Sequence, residues 1–516
     1  MKLSEKHWFI IIGSICAVYV LLRFWHLTDS CLWFDEIFSV HAAEHSFQNL
    51  FWFVAQDLIH PPLFYVLLKF WILIDGENLF WLRSFPVLFS IISLIPFFCL
   101  CRQLKLTFPT IALALTFLTV SGSLIKYAQE VRMYSLLLCL SLFSMWLFAR
   151  FLNIGKGIWF LTFVNVLLVY TQYFGWLVVL SEILLILYLQ RIKIGQILIM
   201  FGITLLSFTP WIFAVWKASQ INADFGQNLG WASKPDFLTL FQFLFNLFEP
   251  FYYQSSSVDA SSVYLISIPL LLIIITAFVF YLADWKTEND KEKSAFYFLS
   301  AFILIPILLA FSASWILPFS IWGTRHLIII FAPLAILSAK ILNKLKKHQL
   351  KSALLAGIFL LFGIAFLLQT RRETPQFIWC AWENLAQELP QTEKNAPTKI
   401  FVFEDLVAYH LWFALHNSDK NYQIVKVNNV EGLREDKAYF LPRGFDEVQT
   451  LEGNDVGTEK FWIAFREKEF NESKPPLQTL LKKGCMFGEP KAFEAQGLTA
   501  FLLLVKNDNQ NGNCLF

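Results

Sequence analysis

The chain has 516 residues, of which 57% are hydrophobic, 17% aromatic and only 16% charged, with a formal net charge of +2. Soluble globular chains carry about 25% charged residues, so this apolar excess excludes both a single aqueous domain and a disordered chain, and it points to the bilayer as solvent. The near-neutral charge offers no basic face for nucleic acid.

The charge is unevenly spread. Residues 1–370 hold 24 Lys+Arg and 18 Asp+Glu, whereas residues 371–516 hold 17 and 21 in less than half the length. The expected organisation is an all-α polytopic membrane domain over 1–370, followed by a small soluble α/β domain over 371–516.

In chain order, the first apolar run spans 8–27. It is long enough to cross and no A-x-A-like cleavage site follows, so it reads as a span and not as a signal peptide. Next comes a long loop, about 28–83, in which 47–58 and 60–75 are predicted as helices lying on the membrane surface. Lys69, inside the second, is expected to snorkel to the interface. Further apolar runs lie near 84–101, 108–126, 133–149, 157–174, 175–189, 196–216, 262–283, 295–316, 326–342 and 352–369. With the first, they give about eleven crossings. A second long loop covers 217–261 and is predicted to be partly helical. Alternating the connections places 16 of the 24 basic residues on one side. By the positive-inside rule that side is the cytoplasm, so the N-terminus is cytoplasmic and the 371–516 domain extracytoplasmic. In that domain, 399–403, 422–427, 461–466 and 501–505 read as strands, with 404–415 and 476–483 as helices.

The eight cysteines show no metal-ligand spacing. Cys16 and Cys139 lie in apolar runs, and Cys99 and Cys101 flank the end of another. Cys31, Cys380, Cys485 and Cys514 fall outside the spans, and Cys485–Cys514 is one disulfide open to the chain.

With this topology the unusual polar residues gather at the extracytoplasmic face. They are Asp35-Glu36 and His60-Pro61-Pro62 in the first loop, and Arg83 at its end. Gln129-Glu130, Arg132, Gln172-Tyr173 and Thr324-Arg325-His326 lie at later turns. Each has a plain reading: solvated loop acids, a helix start, arginines anchored to headgroups, an ion pair between Glu130 and Arg132, an interfacial Tyr173. Ionisable groups at membrane depth are costly, however, and together they form a functional hypothesis. Carboxylates beside arginines suit a phosphate leaving group, because Arg binds phosphate through a fixed fork and stays charged.

The stretches Trp33-Phe34-Asp35-Glu36, His60-Pro61-Pro62-Leu63, Arg83-Ser84-Phe85-Pro86, Tyr127-Ala128-Gln129-Glu130-Val131-Arg132 and Thr324-Arg325-His326 with Pro333 resemble the GT-C superfamily of integral-membrane glycosyltransferases. The branch they are most similar to holds dolichyl-phosphate-mannose protein mannosyltransferases and bacterial lipid A aminoarabinose transferases. The resemblance covers roughly 8–340. It implies a polyprenyl-phosphate sugar donor, an extracytoplasmic lipid, polysaccharide or protein acceptor, and transfer with inversion in a cell-envelope membrane. It implies Asp35 as catalytic base with Glu36 beside it, and Arg83 and Arg325 near the donor phosphate. Glu130 would lie near the sugar or a metal. His60, Arg132, Tyr173 and His326 are the remaining candidate substrate-binding residues. No cofactor is assigned. A divalent metal is left open, because Glu130 stands where relatives often carry Asp and Gln172 where they often carry His. The alternative is a flippase or transporter of lipid-linked sugars, although such proteins carry repeats and midplane charges. Sugar and acceptor are not readable from the sequence.

Overall fold

A computed structural model of the chain describes residues 4–189, 194–221, 233–251, 260–371, 376–391, 397–430, 441–452, 460–495 and 497–507. The chain forms two compact units. One comprises Met1–Thr28 and Ala42–Glu373, the other Asp29–His41 and Thr374–Phe516.

The first unit is helical. Among the described residues, seven helices are long and apolar enough to cross a membrane: Glu5–Phe24, Leu79–Gln103, Tyr134–Ile154, Ile194–Ser219, Leu265–Ala283, Asp290–Ile316 and His348–Thr370. The protein is an integral membrane protein. The other four expected runs are also helices, but Phe108–Val120, Ile158–Thr171, Gly175–Leu189 and Phe331–Lys344 have only 13, 14, 15 and 14 residues. At about 1.5 Å per residue each reaches roughly 20 Å, less than a hydrocarbon core of about 30 Å. The Phe108–Val120 helix stops where its backbone turns to another strand of chain. Phe251 N–H donates to Val120 O at 2.8 Å, and Gly122 N–H to Glu249 O at 2.8 Å. Helix Gly122–Ala128 then resumes and delivers the Gln129–Arg132 turn. In the second long loop, Phe237–Leu247 is a helix, and 222–232 and 252–259 lie outside the described residues.

The two expected first-loop helices form as Phe47–Asp57 and Leu63–Asp75. Lys69 is bonded within the protein. Its ammonium donates to Ala43 O at 3.1 Å and His45 O at 2.7 Å. These carbonyls belong to the end of helix Phe34–Glu44, where unpaired C=O groups and the helix dipole favour a cation. Leu63–Asp75 turns into the next helix at Gly76, whose φ of +75° suits glycine. Asn78 caps that helix by accepting from Trp81 N–H. Trp71 and Trp81 stack at 4.0 Å, and each indole N–H donates to the other's carbonyl at 2.9 Å.

The second unit contains a seven-stranded sheet. Its strands are β1 Thr398–Val402, β2 Tyr422–Asn428, β3 Gln449–Glu452, β4 Lys460–Glu467, β5 Cys485–Phe487, β6 Lys491–Ala495 and β7 Leu498–Asn507. The order is β3-β2-β1-β4-β7-β5, with β6 also on β7. β1, β2, β3 and β4 pair in parallel, and β7 runs antiparallel to β4, β5 and β6. Alternate residues Phe401, Val425, Phe461, Ile463, Phe501 and Leu503 build one buried face, as period-2 side-chain alternation requires. Helix Asp405–His416 connects β1 to β2. The four expected strands and two expected helices are present. The sequence reading missed β3, β5, β6 and helix Ala381–Gln387, which are short or polar.

Candidate active site

In the membrane unit the predicted residues are drawn together by short loops. Helix Phe47–Asp57 ends in a left-handed Leu58. Three residues after Asp57 comes His60, and Pro62 then caps Leu63–Asp75. The tight turn brings His60 Nδ1 within 2.6 Å of Asp57 Oδ2. Arg132 Nη2 lies 3.0 Å from His60 Nε2, and its Nη1 donates to Tyr65 Oη at 3.4 Å. Arg cannot give up its proton, so His60 Nε2 is the acceptor and Nδ1 carries the hydrogen towards Asp57. The chain Asp57–His60–Arg132 therefore has one tautomer. Arg132 and Glu130 are buried, 2% and 3% exposed.

Tyr173 donates to Leu58 O at 3.3 Å and accepts from Trp211 Nε1 at 3.1 Å. Its turn is tight: a Cβ on Gly175 would meet Leu168 O at 2.7 Å. The next residue along from Tyr173, Phe174, stacks on His326 at 4.6 Å and 10°. His326 Nδ1 donates to Ile321 O at 3.0 Å. His326 lies within electrostatic reach of Arg325 and His60. His326 is thus a ring held by one stack and one hydrogen bond. Tyr127 lies within electrostatic reach of both Glu130 and Arg325. Six predicted residues, His60, Glu130, Arg132, Tyr173, Arg325 and His326, therefore share one neighbourhood. Gln172, 3% exposed, buries its Oε1 with no hydrogen-bond partner among the described residues.

Arg83 is fully buried and donates to Leu27 O at 2.8 Å. It works there beside Gln129, whose side-chain N–H groups reach Arg23 O and Trp25 O. Arg23 in turn donates to Leu118 O and Thr119 O, both at 2.8 Å. Arg23 and Gln129 satisfy carbonyls where helices end, and Arg83 one in the turn that follows Glu5–Phe24.

Asp35 and Glu36 belong to the second unit. They occupy the first turn of helix Phe34–Glu44, where the positive end of the helix dipole favours carboxylates. Glu36 is fully buried, and its Oε2 accepts from Trp33 N–H at 3.2 Å, as the third residue of a capping box does. Asp35 is half-buried. The same segment carries Cys31, which is disulfide-bonded to Cys380. Cys485 is also oxidised, and the expected pairing with Cys514 falls on residue 514, outside the described residues.

The sequence reading did not single out Asp57, Tyr65 or Trp211. It also missed Glu182, whose carboxyl sits fully buried among Ser144 and Asn165. The signal for Glu182 was present, as the only acid in its apolar run. Elsewhere in the membrane unit an apolar cavity is lined by Phe117, Val120, Ser121, Glu249, Leu270 and Phe362, and none of the predicted site residues lines it.

No protein-family profile and no curated protein matches the chain by sequence. Solved structures do match by shape. ArnT from Cupriavidus metallidurans bound to undecaprenyl phosphate superposes with a TM-score of 0.55 at 11% identity, over 97% of this chain and 98% of that one. This chain has the ArnT fold. The apo state of the same ArnT gives 0.55 over 96% and 98%. The resemblance carried by the sequence motifs, to the GT-C branch that includes the aminoarabinose transferases, thus holds as a likeness of fold. The archaeal oligosaccharyltransferase AglB from Archaeoglobus fulgidus, in complex with an inhibitory peptide and a dolichol-phosphate, gives a TM-score of 0.48 at 10% identity. The chain covers 64% of that protein's length.

Proposed function

We propose that this protein is an inverting membrane glycosyltransferase that moves a sugar from a polyprenyl-phosphate donor to an extracytoplasmic acceptor. The observation that carries the reading is the gathering of His60, Glu130, Arg132, Tyr173, Arg325 and His326 within a membrane unit of ArnT-like fold. ArnT itself has been seen with undecaprenyl phosphate bound.

In the proposed reaction the acceptor hydroxyl attacks the anomeric carbon. The bond from that carbon to the phosphate oxygen breaks, and polyprenyl phosphate leaves with the electron pair. Asp35 takes the hydroxyl proton. The leaving phosphate is stable as an anion, so no second protein acid is needed, unlike in glycoside hydrolysis. Arg325 and Arg83 serve the donor phosphate, although one nitrogen of Arg83 is committed to Leu27 O. Glu130, Tyr173, His60 and Arg132 serve the sugar, with His60 and Arg132 fixed by Asp57. His326 supplies a flat apolar wall against Phe174.

The proposed topology has a cytoplasmic N-terminus and an extracytoplasmic second unit. The Cys31–Cys380 disulfide supports it, because disulfides persist in oxidising compartments. The test is mass spectrometry of envelope lipids, glycans and proteins with and without this protein. It is paired with purified protein given a panel of polyprenyl-phosphate sugars. One sugar substituent should disappear from the envelope, and one donor should be consumed in vitro. Identical envelopes and an untouched donor panel would end the proposal.

A further inference from the structure

Segment Asp29–His41 packs into the second unit through three attachments along its length. At its start, Cys31 is bonded to Cys380, with Cα atoms 5.4 Å apart. Cys380 closes the short turn Ile378–Cys380 that leads into helix Ala381–Gln387. In the middle, the Phe34 ring lies 5.1 Å from the Tyr409 ring. At the end, His41 Nδ1 is 2.9 Å from Tyr409 Oη. The His41 ring is boxed by Trp412 at 4.6 Å and Phe445 at 5.2 Å. Tyr409 is fully buried, so one side chain meets both ends of the helical stretch.

The helix geometry gives this clamp a consequence. Phe34 and His41 are seven residues apart, about two turns, so both fall on one face. Asp35 lies about 100° around the axis from Phe34. Fixing the Phe34–His41 face therefore fixes the rotation of the helix and with it the direction of Asp35. Glu36, turned back onto Trp33 N–H, secures the first turn.

We propose that Cys31–Cys380, Tyr409 and His41 are positioning residues for Asp35. The inference rests on the reading of Asp35 as the base. A base displaced by about 1 Å loses on the order of 100-fold in rate, while groups that bind the donor are untouched.

The experiment uses the whole protein in lipid nanodiscs, with the member of the polyprenyl-phosphate sugar panel that it consumes and the envelope acceptor that receives the sugar. The variants are Cys31→Ser/Cys380→Ser together, Tyr409→Phe and Asp35→Asn. The double serine variant separates this disulfide from that of Cys485, which a reductant would also open. Its kcat should fall about 10- to 100-fold, with donor KM and donor-binding stoichiometry unchanged. Hydrogen exchange should rise in 34–41, with the rest of the chain keeping its protection. Tyr409→Phe keeps the ring but loses the His41 hydrogen bond, and should give a smaller fall of the same kind. Reduced parental enzyme should regain its rate on reoxidation. Parental kcat in the double serine variant, beside an inactive Asp35→Asn, would overturn the clamp and leave the base standing. Loss of donor-binding stoichiometry in step with kcat would overturn it too, as general damage. Near-parental turnover by Asp35→Asn would instead remove the base reading itself, and the positioning role with it.

Discussion

Asp35 and Glu36 are adjacent, yet their surroundings divide the work between them. Glu36 is buried against Trp33 N–H, whereas Asp35 is half-buried in the same helical turn. Asp35→Asn keeps the shape and removes the proton acceptor. Membrane insertion and donor binding should be normal, with transfer down at least about 100-fold in a single-turnover assay. Glu36→Gln still offers an oxygen to Trp33 N–H, so its effect should be well below that of Asp35→Asn. Arg325 and Arg83 differ in a similar way. Arg325 is half-buried at a turn, and Arg83 is wholly buried with one bond already spent on Leu27 O. Arg325→Ala should raise donor KM with little change in thermal stability, and Arg325→Lys should recover only part, since an ammonium lacks the planar fork. Arg83→Ala should lower thermal stability as well, because it removes the donor to the buried Leu27 carbonyl in the turn after Glu5–Phe24. Donor-binding isotherms and melting curves on the same samples separate the two; unchanged donor binding in both alanine variants would return both arginines to structural roles.

At the level of elements, three helices meet through one polar ring. Ser144 Oγ lies 2.7 Å from Asn165 Oδ1 and 2.6 Å from Glu182 Oε1, and Asn165 Nδ2 lies 2.8 Å from Glu182 Oε2. Three contacts need three hydrogens. Ser144 brings one, and Asn165 presents its NH₂ to only one of its two neighbours, whichever way its amide is turned. The third hydrogen comes from the Glu182 carboxyl. The ring ties Tyr134–Ile154, Ile158–Thr171 and Gly175–Leu189 together, and the last two flank the Gln172–Gly175 turn that carries Tyr173. Glu182→Gln keeps three hydrogens in the ring and should melt close to the parental protein. Glu182→Leu strands Ser144 and Asn165 and should melt lower, each lost intramembrane hydrogen bond costing about 0.6–1.7 kcal/mol. A Gln variant as unstable as the Leu variant would contradict the ring. The same elements show what Lys69 meets in the protein. An isolated lysine in an apolar run looks like a snorkelling anchor until the end of another helix, Phe34–Glu44, is found at its ammonium.

Across the whole molecule, pH and compartment bear on the second unit. His410 is buried there, with Nδ1 donating to Leu406 O at 2.8 Å. Burial pushes it from 6.5 down to about 4. The unfolded chain thus takes a proton that the folded one refuses. The stability from the neutral ring is complete above pH 6.5 and drains away as pH falls towards 4, by up to about 1.4 kcal/mol per pH unit. Melting curves of parental protein and His410→Gln between pH 7.5 and 4.5 should show a shallower decline in the variant. On the proposed topology, a reporter fused after Phe516 should be active only outside the cytoplasm, and a cytoplasmic signal would reverse it. The sequence by itself determined that this is a membrane protein with an appended α/β sheet, because solvent preference and side-chain period are local properties of a chain. It also named six of the residues that meet in the membrane unit, because a charge in an apolar run has few purposes. What only the tertiary structure decided was partnership. Asp57 as the orienter of His60, Arg83 as a brace on Leu27, Glu182 in its ring and Cys31 bound to Cys380 all depend on which distant segments meet. So does the assignment of Asp29–His41, and Asp35 with it, to the C-terminal unit. Hydropathy ranks a residue's solvent but carries no record of its neighbours, and a contact between positions 31 and 380 is written only in the folded chain.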